Sequence, residues 1–470
     1  MTQIGSEDTL NLGEVGDEGG SNALQSINNF FVRLVSHLLP DPYLWAIILT
    51  MVVIIAGAII DSPKMGLFPI YWYDGFYGLL TFTLQGALIA ITGFTLAQAA
   101  PVHKILMRLA SLPKTQTQAV ILVIEVTAVA SLVSWGLGLV VAGVMSREVT
   151  KRVERINYPF IVAAAYSGFM VWASGFSSAI ALATASPGNS LNIIQKVTGV
   201  VIPLSGTLLT SFNIIPVLLM MIALPLLFMA ISPRRGFISE SDRAKLISDD
   251  DALSADPPRQ HVPAEAIERS PIFTVLLVAL GVAAMISLAV HNQFTFDFNM
   301  LITIFIILGL TLHGRPIRYA RSFMGSVKVA GPIILQYPLY GGLQGVMMKT
   351  GLATKISNFF VTFATSHTLP FFSFIASVFI SMFVPSGGGH WIVQGPVMVP
   401  AAFHLHANQA LVADCVAWGE QVANMIQPFW VLPILGIVGL GIRQVMGYTA
   451  LAFFLGIIVF GGVALAFGLF

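Results

Sequence analysis

Two short runs of small and hydroxyl-bearing residues interrupt otherwise apolar stretches of the chain: Ser134-Trp135-Gly136-Leu137-Gly138, and Pro385-Ser386-Gly387-Gly388-Gly389, followed by His390, Trp391 and Gln394. Glycine lets a backbone leave the helical conformation. A helix that restarts at such a break presents unpaired N–H groups and the positive end of its dipole, a site for an anion. Freed carbonyls and opposing helix C-termini can hold Na⁺. Ser134 and Ser386 would add hydroxyl contacts. The competing reading of both runs is that glycines simply let helices pack closely.

Beyond each run lies a stretch broken by polar residues. The first carries Tyr166-Ser167-Gly168 and then Trp172-Ala173-Ser174-Gly175-Phe176-Ser177-Ser178; the second carries Trp418-Gly419-Glu420-Gln421 and then Asn424, Gln427 and Pro428. Polar groups at membrane depth need protein partners, so these face the interior. Ser167, Ser174, Trp418, Gln421 and Asn424 are therefore candidate substrate contacts, with the residues of the two runs. Four ionisable residues lie well inside apolar segments: Glu125, His390, Asp414 and Glu420. Intramembrane carboxylates are costly and mark function by default. Glu420, beside the expected break, is the candidate cation ligand or proton carrier. Glu125 fits a structural hydrogen bond, Asp414 a place near an interface, and His390 either a satisfied polar residue or a site residue.

These residues sit in a chain that is 56% hydrophobic and 10% charged, against about 25% charged in a soluble domain. Its 470 residues, at about 20 per crossing, hold on the order of a dozen spans. The fold class expected is an all-α polytopic membrane protein. Residues 1–25 are Gly-rich and acidic, without the basic start of a secretory signal, and read as a disordered tail. Residues 232–270, with Asp249-Asp250-Asp251 and Pro257-Pro258, read as a cytoplasmic linker between a first membrane half (26–231) and a second (271–470). Cys415 stands alone, so no disulfide framework is available.

Clusters of Lys and Arg mark the cytoplasmic side: Lys104, Arg108 and Lys114; Arg147, Lys151, Arg152 and Arg155; Arg234 and Arg235; Arg315, Arg318 and Arg321; and Arg443. They place the N-terminus in the cytoplasm. Tyr43 to Ile60 then crosses outward and Phe76 to Ala100 returns, joined by an external aromatic loop with Tyr71, Trp72 and Tyr73. Thr117 to Met145 begins and ends at basic clusters and is long for one crossing, which predicts a re-entrant hairpin with its tip at Ser134. Pro159 to Ala185 goes out and Val201 to Ile231 returns. Pro271 to Val290, Met300 to Leu312 and Ala330 to Met348 are the next crossings. Pro370 to Ala402 predicts a second hairpin, entered from outside, and Ala410 to Ile442 and Tyr448 to Phe470 complete the chain. At an offset of 251 residues the halves align without gaps: Gly136 and Gly138 fall on Gly387 and Gly389, and Gly168 on Gly419. Since the charges orient the two segments oppositely, an inverted repeat is predicted.

The run Phe383 to Pro396, containing Ser-Gly-Gly-Gly-His-Trp, together with Trp418-Gly419-Glu420-Gln421, resembles the signature region of bacterial short-chain fatty acid transporters; Phe30 to Pro42 and the Gly136 region are also similar. The resemblance spans nearly the whole chain from about Asn28. It implies uptake of acids such as butyrate or acetoacetate across the bacterial inner membrane. It also implies an elevator-type homodimer of the wider ion-transporter superfamily. On this reading a monocarboxylate sits between the two tips, with its alkyl tail on Trp135, Trp172, Trp391 or Trp418. A co-transported H⁺ or Na⁺ offsets its charge, and no bound cofactor and no nucleic acid is needed. A dicarboxylate carrier, a channel and an intramembrane enzyme are the rivals. The chain contains no His-Glu-x-x-His, Gly-x-Ser-Gly or Gly-x-Gly-Asp, and no Gly-x-x-x-x-Gly-Lys loop, so the usual protease and ATPase groups are missing.

Overall fold

The computed structural model describes residues 42–248, 268 and 270–469; the expected tail, the first residues of the first membrane half and most of the linker lie outside them. Every regular element among the described residues is a helix, and seven helical stretches are long and apolar enough to cross a membrane. Lipid offers no partner to a backbone N–H or C=O, so a chain this apolar satisfies them within helices.

The first half opens with α1 (Pro42–Ile60), α2 (Phe68–Gly78) and α3 (Leu80–Ala97). The external aromatic loop expected around Tyr71 to Tyr73 is in fact α2. Glycines explain the difference: a Cβ on Gly75 would collide with the carbonyl of Gly341, and one on Gly345 with that of Tyr71, so α2 is held in backbone contact with a later helix. Next come the basic α4 (Ala100–Ala110), then α5 (Gln116–Val133) and α6 (Trp135–Arg152), separated only at Ser134. A broken segment follows: α7 (Tyr158–Gly168), a 3-10 turn at Phe169–Ser174 and α8 (Ala179–Ala185). After α9 (Ile193–Thr198), α10 (Ser211–Ala230) starts ten residues later than the span expected from Val201. Within the polar linker lies α11 (Glu240–Ser248), a helix the periodicity did not suggest. It is pinned by Arg147 Nη2 donating to Leu246 O (3.0 Å) and by Ile238 N donating to Ile156 O (2.9 Å).

The second half begins with α12 (Pro271–Val290), α13 (Phe298–His313), the basic α14 (Pro316–Ser326) and α15 (Gly331–Lys349), which carries Gly341 and Gly345. The sequence did not suggest α16 (Leu352–Phe363). Then α17 (Leu369–Ser381) and α18 (Gly387–His404) flank Ser386, and α19 (Gln409–Ala423), a 3-10 turn at Asn424–Ile426 and α20 (Pro428–Val438) form a second broken segment before α21 (Met446–Leu469).

Packing sorts these helices into two bodies. The paired helices around Ser134 and Ser386 and both broken segments pack with α10 and α21, whereas α1, α2, α3, α13, α14 and α15 pack with one another. The bodies meet where α3 touches α6 and α15 touches α18.

Candidate functional site

Ser134 and Ser386 each stand just before a helix in extended backbone, φ −156°, ψ 131° and φ −157°, ψ 131°. They lie 252 positions apart in the chain, so the gapless offset of 251 is one residue short at the tips, where Gly136 corresponds to Gly388. Gly168 and Gly419 keep the offset of 251. Each presses on the helix before its tip: a Cβ on Gly168 would strike Ile124 O, and one on Gly419 would lie 2.5 Å from Phe374 O.

Each broken segment is strapped to the adjacent tip. Phe176 N donates to Leu132 O (2.8 Å) at the end of α5. At the end of α17, Gln427 Nε2 donates to the Ser381 carbonyl (2.5 Å) and its Oγ (2.9 Å). The two broken segments are also strapped to one another. Tyr166 OH donates to Asn424 O (2.7 Å), Trp172 Nε1 to Asn424 Oδ1 (2.8 Å), and Ala173 N to Gln421 Oε1 (2.9 Å). These bonds take up polar groups that the breaks would leave unpaired in an apolar interior. Asn424→Ala leaves Trp172 Nε1 and Gln427 Oε1, now bonded to Asn424, without partners. It is expected to destabilise the protein by about 2–4 kcal/mol, read as a lowered thermal-aggregation midpoint in detergent; an unchanged midpoint would show the strap to be dispensable.

A cavity of about 460 Å³ opens where the two bodies meet, lined by Trp135, Trp172, Ser386, Gly387 and Gly388 from the hairpin body and by Phe82, Phe94, Phe298, Gln336 and Tyr337 from the other. At its floor the first turn of α18 supplies amides with no intrahelical acceptor. Tyr337 stacks on Phe82 (ring centroids 5.5 Å apart) and its hydroxyl faces Ser386 and the amides of Gly388 and Gly389. The first tip is arranged differently. Its leading amide, Trp135 N, already donates to Ser177 Oγ (2.9 Å), while Ser134 Oγ is buried beside Gly93 without a hydrogen-bond partner among the described residues. Trp430 completes an aromatic wall with Trp135 (5.4 Å) and Trp172 (5.6 Å).

The other expected contacts lie away from the cavity wall. Gly136 packs on Phe94, and Gly389 on Tyr340 and Ser386. Ser167 Oγ donates to Ala163 O (2.8 Å), and Ser174 Oγ accepts from Gln421 Nε2 (3.3 Å). His390 Nε2 donates to Gln394 Oε1 (2.5 Å) and lies 3.0 Å from Ser377 Oγ, tying α18 to α17. Trp391 Nε1 donates to Leu191 O (2.9 Å) and Trp418 Nε1 to Asn213 Oδ1 (3.1 Å), so both indoles are occupied in holding the hairpin body together. Asp414 is buried within α19, and Glu125 is partly buried in α5. Glu420 is fully buried and neither of its oxygens has a partner among the described residues. It stands directly behind the cavity floor: a Cβ on Gly387 would come 3.2 Å from Glu420 Oε2 and 2.9 Å from Trp172. The sequence reading missed Trp430, Tyr337, Gln336 and Lys328, all in the cavity wall. A Gln inside the apolar Ala330 to Met348 stretch was the available signal; Trp430 and Tyr337 looked like ordinary membrane aromatics.

A multi-pass helical membrane protein with a cavity between two helical bodies, one of them holding both broken segments, is the class that this architecture defines. Its fold is that of a solved transporter, YdaH of Alcanivorax borkumensis, whose crystal structure is described as revealing an unusual topology. The match has a TM-score of 0.59 at 12% identity and covers 91% of this chain and 98% of that one. The chain belongs to the short-chain fatty acid transporter family, whose family model matches residues 23–467. A relative from Escherichia coli strain K12, named as a short-chain fatty acid transporter, is 37% identical over 444 residues, covering 94% of this chain and 98% of its own. One from Haemophilus influenzae, named likewise, is 37% identical over 444 residues, 93% of this chain and 99% of its own.

Proposed function

We propose that this protein carries short monocarboxylates such as butyrate or acetoacetate across the bacterial cytoplasmic membrane, as a secondary carrier coupled to H⁺ or Na⁺. The observation that carries this reading is the cavity itself: the first-turn amides of α18 and Ser386 on one side, met by the Tyr337 hydroxyl, an indole wall on another, and just behind the floor a buried carboxylate with no hydrogen-bond partner among the described residues. The amides and hydroxyl receive a carboxylate, and the wall of Trp135, Trp172 and Trp430 receives a short alkyl tail. Moving one anion into low dielectric is costly unless a cation moves with it, and Glu420 is placed to accept that cation.

The basic clusters orient the chain with its N-terminus in the cytoplasm, and the paired helices around Ser134 and Ser386 act as re-entrant hairpins in two inverted repeats, divided at the cytoplasmic linker. The two-body packing supports an elevator, in which the hairpin body slides past the other, as one protomer of a homodimer. The test is uptake of labelled butyrate into proteoliposomes under proton and sodium gradients imposed separately. Accumulation driven by one gradient is expected and names the ion. No uptake under either, by protein shown to be folded, sinks the butyrate reading.

A further inference from the structure

We propose that Lys328 forms a second carboxylate site at the mouth of the cavity, where the anionic headgroup pauses before it reaches the floor. This rests on the monocarboxylate reading and adds to it a residue and a place. Among the described residues Lys328 is the one charged side chain in a cavity wall otherwise made of aromatic, aliphatic and neutral polar residues. It is exposed and makes no hydrogen bond or ion pair among the described residues.

Its distance from the floor makes the site separate. Lys328 precedes Tyr337 by nine positions along a short 3-10 turn and α15, with Val329, Pro332 and Ile333 lining the wall between them. At rises of about 1.5–2 Å per residue their backbones stand about 14–18 Å apart along the axis. Butyrate has a single carboxylate, far smaller than this gap even when the lysine stem reaches inward, so the headgroup occupies the two positions in turn.

The mouth lies on the basic side of the protein. Lys328 follows α14, which carries Arg318 and Arg321 and is joined to the end of α3 by Ser322 Oγ donating to Gln98 Oε1 (2.8 Å) and Gln98 Nε2 donating to Ser326 Oγ (3.2 Å). Just beyond Gln98 lies α4 with Lys104 and Arg108. An ammonium on a flexible stem above an apolar channel attracts anions from that side. A single fixed charge suits one carboxylate. The competing role for such a lysine is to anchor the helix among lipid headgroups, which would not depend on substrate.

Lys328→Cys separates the two roles, because the native thiol, Cys415, is fully buried. The readout is equilibrium exchange of labelled butyrate in proteoliposomes. The variant is expected to exchange about tenfold more slowly than wild type, the scale of one lost charged hydrogen bond. A thiol reagent installing an aminoethyl ammonium should restore exchange to within about twofold, a neutral reagent of equal length should not, and butyrate but not butyramide should slow the labelling. Wild-type exchange by the unmodified variant, equal rescue by both reagents, or labelling indifferent to butyrate would each overturn the assignment. Failure of the wild-type protein to exchange butyrate would instead overturn the monocarboxylate reading on which it rests.

Discussion

Replacing Glu420 by Gln is expected to abolish accumulation of butyrate under an imposed gradient while sparing exchange of butyrate for butyrate. One proton moving with one monocarboxylate lets a pH difference of 1 unit, about 1.4 kcal/mol, sustain about a tenfold accumulation; in Glu420→Gln that ratio falls to about one. Glutamine matches the shape of glutamate, and no partner of the carboxylate oxygens is lost, since neither has one among the described residues. What disappears is the capacity to take up and release a cation behind Gly387. A charged carboxylate in that place, with no donor or counter-ion, is disfavoured by several kcal/mol, so the side chain is suited to move through the membrane with its cation bound. If the coupling ion is Na⁺, the same variant loses accumulation under a sodium gradient. Accumulation that survives under both gradients would remove Glu420 from the mechanism.

The breaks were legible because the residues that cause them are local. Ser134 and Ser386 are set beside glycines inside apolar runs whose lengths fit neither one crossing nor two, and the structure interrupts its helices at both. Glu420 was legible for a similar reason, as a carboxylate in an apolar segment next to Gly419. What stayed hidden depends on contacts between distant segments. The aromatic stretch around Trp72 is helical because Gly75 meets Gly341, 266 positions away in the chain. Trp391 and Trp418 looked equivalent to Trp135 and Trp172 as candidate walls, and only the acceptors of their indole N–H groups, Leu191 O and Asn213 Oδ1, turn them away from the cavity. Lys328 escaped because the positive-inside rule absorbs any basic residue near a span end; its position in the cavity wall follows from the packing of α15 against the hairpin body.

That packing predicts a second large effect. Gly388→Ala is expected to lower both exchange and accumulation of butyrate by about 10–100-fold, with the protein still folded. A Cβ at this position would lie 2.6 Å from Phe82 Cζ and 2.9 Å from Tyr337 Cε2. Neither ring can yield cheaply, because Phe82 is buried, stacked on Tyr337 and set edge-on to Phe298 at 5.3 Å. Overpacking of this kind costs about 1–3 kcal/mol, and each 1.4 kcal/mol is about tenfold. The strain falls where the tip of one body rests on the other, so it opposes the seating of the tip rather than the folding of either body. Gly462→Ala, in α21 with nothing within 4 Å of the added atom, serves as the neutral control. Because the obstruction is steric, exchange fails together with accumulation, whereas in Glu420→Gln the two separate. Wild-type exchange by Gly388→Ala would mean that the tip does not press on Phe82 during the cycle, and would move the substrate site away from the first turn of α18.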